Sequence, residues 1–201
     1  EQTSAVQNYT FLFVGNYNDS TIRPLVEQYL ASLPNRQELS QGPFINNWLK
    51  RDATCHFKRQ METPKTMVHL DWFTEALPYT LDHYIKAQTA CEILNLLYKN
   101  IIREENSATY GCYASYYMIR DDKDGCQIGF TAECEMKPEM CDSVLAMMKT
   151  IFSNMTKEID KTLFRNAKES LLKSYDELVK TANGFWLDTM WRKVSSGIDF
   201  Y

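Results

Sequence analysis

No stretch of the chain approaches the roughly 20 consecutive apolar residues of a membrane-spanning helix, because charged residues interrupt every candidate. The six cysteines, Cys55, Cys91, Cys112, Cys126, Cys134 and Cys141, include no pair at the C-x-x-C spacing of a zinc knuckle or a thioredoxin-like redox site. Glycine is scarce, with seven residues, all dispersed, so neither a Gly-rich phosphate loop nor a G-x-S-x-G nucleophile elbow occurs. Only three histidines are present, His56, His69 and His83, and none has a His or Cys partner at ligand spacing. Neither H-E-x-x-H nor its inverse H-x-x-E-H is found. Positive charge is also in short supply: 22 Lys and Arg stand against 26 Asp and Glu, a formal charge of −4 without any long basic run. That balance gives no electrostatic support for nucleic-acid binding.

What remains is a composition with a core to build. Hydrophobic residues at 44% and aromatics at 13% argue against disorder. A length of 201 residues suits one large domain or at most two small ones. The chain opens at Glu1 without Met and closes on Ile198-Asp199-Phe200-Tyr201 after a helical pattern, so it reads as one domain, 1–201, taken from a longer protein. Most cysteines sit among apolar neighbours and read as small buried hydrophobes, and their redox state stays open. Asn8-Tyr9-Thr10, Asn18-Asp19-Ser20 and Asn154-Met155-Thr156 match the glycosylation pattern, one that arises often by chance.

Periodicity lays out the elements. Tyr9–Val14 reads as a short buried strand closed by Gly15-Asn16. Ile22, Leu25, Val26, Tyr29, Leu30 and Leu33 recur at helical spacing until Pro34, with N-cap oxygens at Asn18, Asp19 and Ser20. Residues 35–53 are polar around Gly42-Pro43 and read as a loop. Thr54–Met61 and Thr66–Phe73 are strand-like, and a helix is expected from about Thr80 to Glu105. Thr109–Arg120 and Gly125–Glu135 flank Asp121-Asp122-Lys123-Asp124 as a hairpin. In its second strand Cys126, Ile128, Phe130, Ala132 and Cys134 share one face, and Gln127, Gly129, Thr131 and Glu133 share the other. One register would set Cys112 near Cys134, although pattern alone leaves the register open. Pro138 opens another helix, and a long helical segment from about Ile159 to Val194 is expected to break near Asn183-Gly184. The order β-α-β-β-α-β-β-α-α predicts an α+β fold: a largely antiparallel sheet with helices on one face.

Chemistry concentrates between the long helix and the hairpin, in Ile101-Ile102-Arg103-Glu104-Glu105-Asn106-Ser107-Ala108-Thr109-Tyr110-Gly111. An Arg leaving a helix and a Tyr entering a strand can converge over a sheet. The guanidinium then grips a carbonyl or carboxylate, and the phenol donates to developing oxyanion charge. A plainer account stands beside this one and is the stronger on spacing alone. Arg near a helix C-terminus is favourable with the macrodipole, and Tyr is common in strands.

Two longer motifs carry a resemblance. Phe11-Leu12-Phe13-Val14-Gly15-Asn16-Tyr17, followed by a helix ending Tyr29-Leu30-Ala31-Ser32-Leu33-Pro34, resembles the insulinase/pitrilysin family of zinc metallopeptidases, the inverzincins. The likeness is to the family's catalytically silent C-terminal-type domain. Arg103-Glu104-Glu105 and Thr109-Tyr110-Gly111 are similar to that domain's Arg–Tyr signature, with the two residues seven apart. The order of elements agrees over essentially the whole chain.

This resemblance implies a metalloendopeptidase in which repeats enclose a chamber. One repeat holds zinc on the inverted motif, and an opposing repeat gives an Arg and a Tyr, here Arg103 and Tyr110, to substrate binding and transition-state stabilisation. This chain lacks the zinc motif and would be inactive alone, with no cofactor and no metal-binding residues of its own. Zinc is expected in a catalytic domain of the same chain or of a partner subunit. The implied substrate is a peptide or unfolded polypeptide, with neither nucleic acid nor a membrane span involved. The competing expectation is a proteolytically inactive scaffold or core-type subunit of the same fold that mediates assembly.

Overall fold

The computed structural model describes residues 6, 9–34, 53–106, 109, 111–120 and 125–200. The chain divides into two compact units, Ile45–Tyr175 and the combination of Glu1–Phe44 with Asp176–Tyr201.

The first of these units is built on four strands: β1 (Thr66–Phe73), β2 (Leu77–Pro78), β3 (Gly111–Arg120) and β4 (Gly125–Met136). Strand β4 is central. It pairs with β1 and β2 along one edge and with β3 along the other, antiparallel throughout. Its alternation explains the placement, since Cys126, Ile128, Ala132, Cys134 and Met136 are buried on one face. Helix α2 (Leu81–Leu97) covers that face, begins on the Thr80 hydroxyl, which accepts from the His83 N–H at 3.2 Å, and runs on as a π-helix, Tyr98–Glu105. After a single 3₁₀ turn, Pro138–Met140, helix α3 (Cys141–Met155) adds Val144, Met148 and Ile151 to the same core. Trp72 of β1 stacks on Phe152 of α3 with ring centroids 4.0 Å apart and an interplanar angle of 6°. Helix α4 (Lys161–Thr181) contributes the fully buried Ala167.

The outer edge of β3 is closed by a side chain. Asn95 of α2 accepts from the Ala114 N–H at 2.7 Å, and its Nδ2 donates back to the Ala114 carbonyl at 3.0 Å. Both backbone groups of Ala114 therefore point away from β4, which makes Ala114 and Ala132 a non-hydrogen-bonded pair. Two residues along each strand, Cys112 and Cys134 face each other with the same geometry.

The second unit contains α1 (Asp19–Tyr29) and α5 (Asn183–Ser196). Asn18 caps α1, its Oδ1 accepting from the Ser20 N–H at 2.9 Å. Gly197, with φ of +73°, ends α5 in the left-handed conformation that a glycine adopts without Cβ strain.

The α+β class, the antiparallel sheet and the helix break are as the sequence predicts, with non-helical Ala182 marking the break, and the hairpin register, which the pattern leaves open, sets Cys112 opposite Cys134. Two expected strands are absent. Tyr9–Val14 forms no strand, and Tyr9, Phe11 and Phe13 are more than 40% exposed rather than buried. Thr54–Met61 forms none either. Both runs have strand-like composition, but a strand exists only where a neighbour accepts its ladder, and among the described residues β1 pairs with β4 alone. Among the described residues the order is therefore α-β-β-α-β-β-α-α-α, with the π-helical and 3₁₀ segments read as parts of α2 and α3. The loop expected at 35–53 and the turn Asp121–Asp124 lie outside the described residues, apart from Ala53.

Candidate functional site

Arg103 sits in the last turn of the π-helical extension, where a cation is favourable with the helix macrodipole. The turn is fixed from beneath, because Tyr98 and Ile102 are both 0% exposed. Asn106 closes it, its side-chain amide donating to the Ile101 carbonyl at 2.6 Å. The Arg103 side chain itself is 54% exposed, with Nε 3.7 Å from Oε1 of the equally exposed Glu104. A surface pair at that separation contributes little, so the guanidinium is available to a carbonyl or carboxylate. Tyr110 lies outside the described residues. Its neighbours are held: the Gly111 N–H donates to Thr109 Oγ1 at 3.1 Å, and that hydroxyl reaches the Glu135 carbonyl at the end of β4.

Beyond this entrance, the sheet face turned from the core carries a polar network that no sequence motif announced. Row by row across β1, β4 and β3 stand His69, Glu133 and Tyr113, then Asp71, Thr131 and Ser115, then Phe73, Gly129 and Tyr117. Tyr113 donates to Glu133 Oε2 at 2.5 Å, and the His69 ring lies between Glu133 at 2.9 Å and Asp71 at 3.1 Å. Thr131 donates to Asp71 at 2.6 Å. Tyr117 lies across Gly129, whose missing side chain makes the room; a Cβ there would come within 2.3 Å of the ring. The alternation of β4 already placed Thr131 and Glu133 on this face. Alternation in β3 likewise places Tyr113, Ser115 and Tyr117 here, and the same reading of β1, where His69 and Asp71 interleave with Val68, Leu70 and Trp72, is the signal that would have found His69 and Asp71.

The hydrogen bond from Tyr113, and secondarily His69, holds the Glu133 carboxyl below its usual range, while facing that carboxylate pushes the Tyr113 phenol up. A lowered carboxyl contributes stability that is present above its unfolded value of 4.5 and lost as acid protonates it. A raised phenol contributes below its unfolded value of 10.0 and is lost in strong base. Both shifts report one contact, so sheet stability is expected to fall below about pH 4.5. Tyr113→Phe should flatten that fall in denaturant titrations across the acid range; an unchanged slope would mean the contact carries no stability.

Several sequence expectations resolve here. His56 lies in a segment that forms no strand. Both ring nitrogens of His69 are taken by carboxylates. Among the described residues no group of three or more His, Cys, Asp or Glu is arranged to hold a metal ion. A recess of about 300 Å³ between the Leu12–Val14 run and the start of α5, with Tyr17 and Leu187 in its wall, carries no titratable group except that tyrosine.

One antiparallel sheet with helices on its apolar face and a polar network on the other defines a two-layer α+β domain. A family model described as the peptidase M16 inactive domain matches residues 5–171. The chain belongs to that family. Two solved structures share the fold. One is a mutant of the ferredoxin protease FusC in complex with Arabidopsis ferredoxin, at a TM-score of 0.57 and 15% identity, covering 88% of this chain and 19% of that one. The other is an insulinase family protease from Yersinia pestis, at a TM-score of 0.55 and 13% identity, covering 92% and 41% respectively. The chain thus spans well under half the length of each. No curated protein matches it.

Proposed function

We propose that this chain is the non-catalytic repeat of a zinc-dependent metalloendopeptidase, forming part of a substrate chamber and supplying Arg103 and Tyr110 to peptide binding and transition-state stabilisation. The family match over residues 5–171 carries the reading. The exposed guanidinium on a buried, rigid turn supports it. In this role Arg103 grips a peptide carbonyl or carboxylate, and Tyr110 donates a hydrogen bond to the oxygen on which negative charge develops. Among the described residues no group of three or more His, Cys, Asp or Glu is arranged to hold zinc, and both ring nitrogens of His69 are engaged by carboxylates. In this reading the metal belongs to a catalytic domain, in the same chain or in a partner subunit. The substrate class is a peptide or polypeptide, in keeping with the ferredoxin held by one structurally similar protease.

The test is cleavage of an unstructured peptide by the complete native protein, with and without a zinc chelator. Chelator-sensitive hydrolysis restored by added zinc is the expected result. Absence of cleavage from a zinc-loaded, folded assembly would overturn the reading in favour of an inactive scaffold.

A further inference from the structure

Six cysteines are spread over this chain, yet β-pairing brings two of them face to face, Cys112 on β3 and Cys134 on β4. We propose that this pair is a reversible thiol–disulfide site, closed by exchange with a low-molecular-weight disulfide of the glutathione type.

Geometry carries the proposal. Directly opposed residues share a sheet face, so both sulfurs lie on the core side. The Asn95 clasp on Ala114 fixes the phase of the ladder and makes Cys112 and Cys134 a non-hydrogen-bonded pair. In such pairs the Cα atoms stand roughly 4.5 Å apart, at the short end of the roughly 4.4–6.8 Å that a disulfide spans. The facing Cys134 and burial raise the Cys112 thiol, which slows its first attack, whereas the facing Cys112 draws the Cys134 thiol below its ordinary value and suits it to the resolving step. Access is graded to match: Cys112 is partly exposed and Cys134 is 0% exposed.

The chemistry runs in two exchanges. The Cys112 sulfur attacks the small disulfide, forming a mixed disulfide and releasing one small thiol. Cys134 then attacks the Cys112 sulfur, forming the protein disulfide and releasing the second thiol. Two protein S–H bonds become one S–S bond, the small disulfide accepts the two electrons, and the protons leave on the two small thiols. Excess small thiol drives the same two exchanges backwards, which makes the closure reversible. Cys91 provides an internal contrast. It is buried, and its S–H is directed at the Ala114 carbonyl at 3.4 Å.

The inference stands independently of the peptidase reading, and its test needs no activity. The native protein is equilibrated in glutathione buffers of graded redox poise, alkylated, digested and mapped by mass spectrometry. The expected result is an intramolecular link between the Cys112 and Cys134 peptides that forms with a defined midpoint and disappears on adding dithiothreitol. Cys91 should be alkylated only after unfolding. The oxidised form should unfold at a higher denaturant concentration than the reduced form, and Cys112→Ser, a change at the less buried partner, should abolish both the link and that difference. Recovery of both thiols free at every poise would overturn the proposal. So would capture of Cys112 as a stable mixed disulfide with glutathione.

Discussion

Under the proposed function, replacing Arg103 with alanine is expected to lower peptide turnover by the complete native protein roughly 10²- to 10³-fold, the loss typical of removing one preorganised donor to a developing oxyanion. The same change should move folding stability by no more than about 0.5 kcal/mol. That contrast follows from where the residue stands. Tyr98 and Ile102 anchor the turn in the core, whereas the Arg103 side chain is 54% exposed and stands 3.7 Å from the surface carboxylate of Glu104. Arg103→Lys keeps the charge but loses the planar fork, so it should restore part of the turnover and little of the geometry-dependent rate. Tyr110→Phe, which deletes only the hydroxyl, should behave like Arg103→Ala. The measurements are kcat, KM and Tm on each variant. Parallel loss of activity and melting temperature would reassign the pair to a structural role.

The second large effect lies at Asn95. Substitution by leucine keeps the bulk of the side chain and removes both of its bonds to the Ala114 backbone. Ala114 is only 8% exposed, so water cannot readily replace the lost partners. Leaving a buried N–H and C=O unpaired costs on the order of 1–3 kcal/mol per group. Partial relief from the Cys91 thiol, which already reaches the Ala114 carbonyl at 3.4 Å, brings the expected loss to about 2–4 kcal/mol. Chemical denaturation checks the value. A loss below about 0.5 kcal/mol, within the range of an ordinary surface change, would show that Asn95 does not secure the strand edge.

How far the sequence could carry this structure depended on whether an element's partner was close along the chain. The β3–β4 hairpin was legible because alternation and a four-residue connection specify it locally, whereas its register, with Cys112 opposite Cys134, was fixed only by the structure. The α4–α5 break was legible for the same reason, since Asn183 and Gly184 interrupt a helical pattern where they stand. Tyr9–Val14 and Thr54–Met61 misled because β-rich composition reports fitness for a pleated surface and says nothing about whether a neighbouring strand is supplied. The His69–Glu133 contact joins residues 64 positions apart, and its discovery required β1 to be matched to β4 in register. Arg103 was recognisable by motif, but its exposure depends on which side of the long helix faces the core, and the helix pattern alone described that face as broad.

Helix α2 does not end as it begins. Tyr98–Glu105 winds with i→i+5 bonding, so the angular position of each residue there depends on how many residues the segment contains. A chain one residue shorter could rewind that stretch as ordinary α-helix, and Arg103 would then swing by about 100° around the axis while Tyr98 stayed seated. The aim of the guanidinium is thus encoded by a count, so indels in this segment would retune it more severely than point changes.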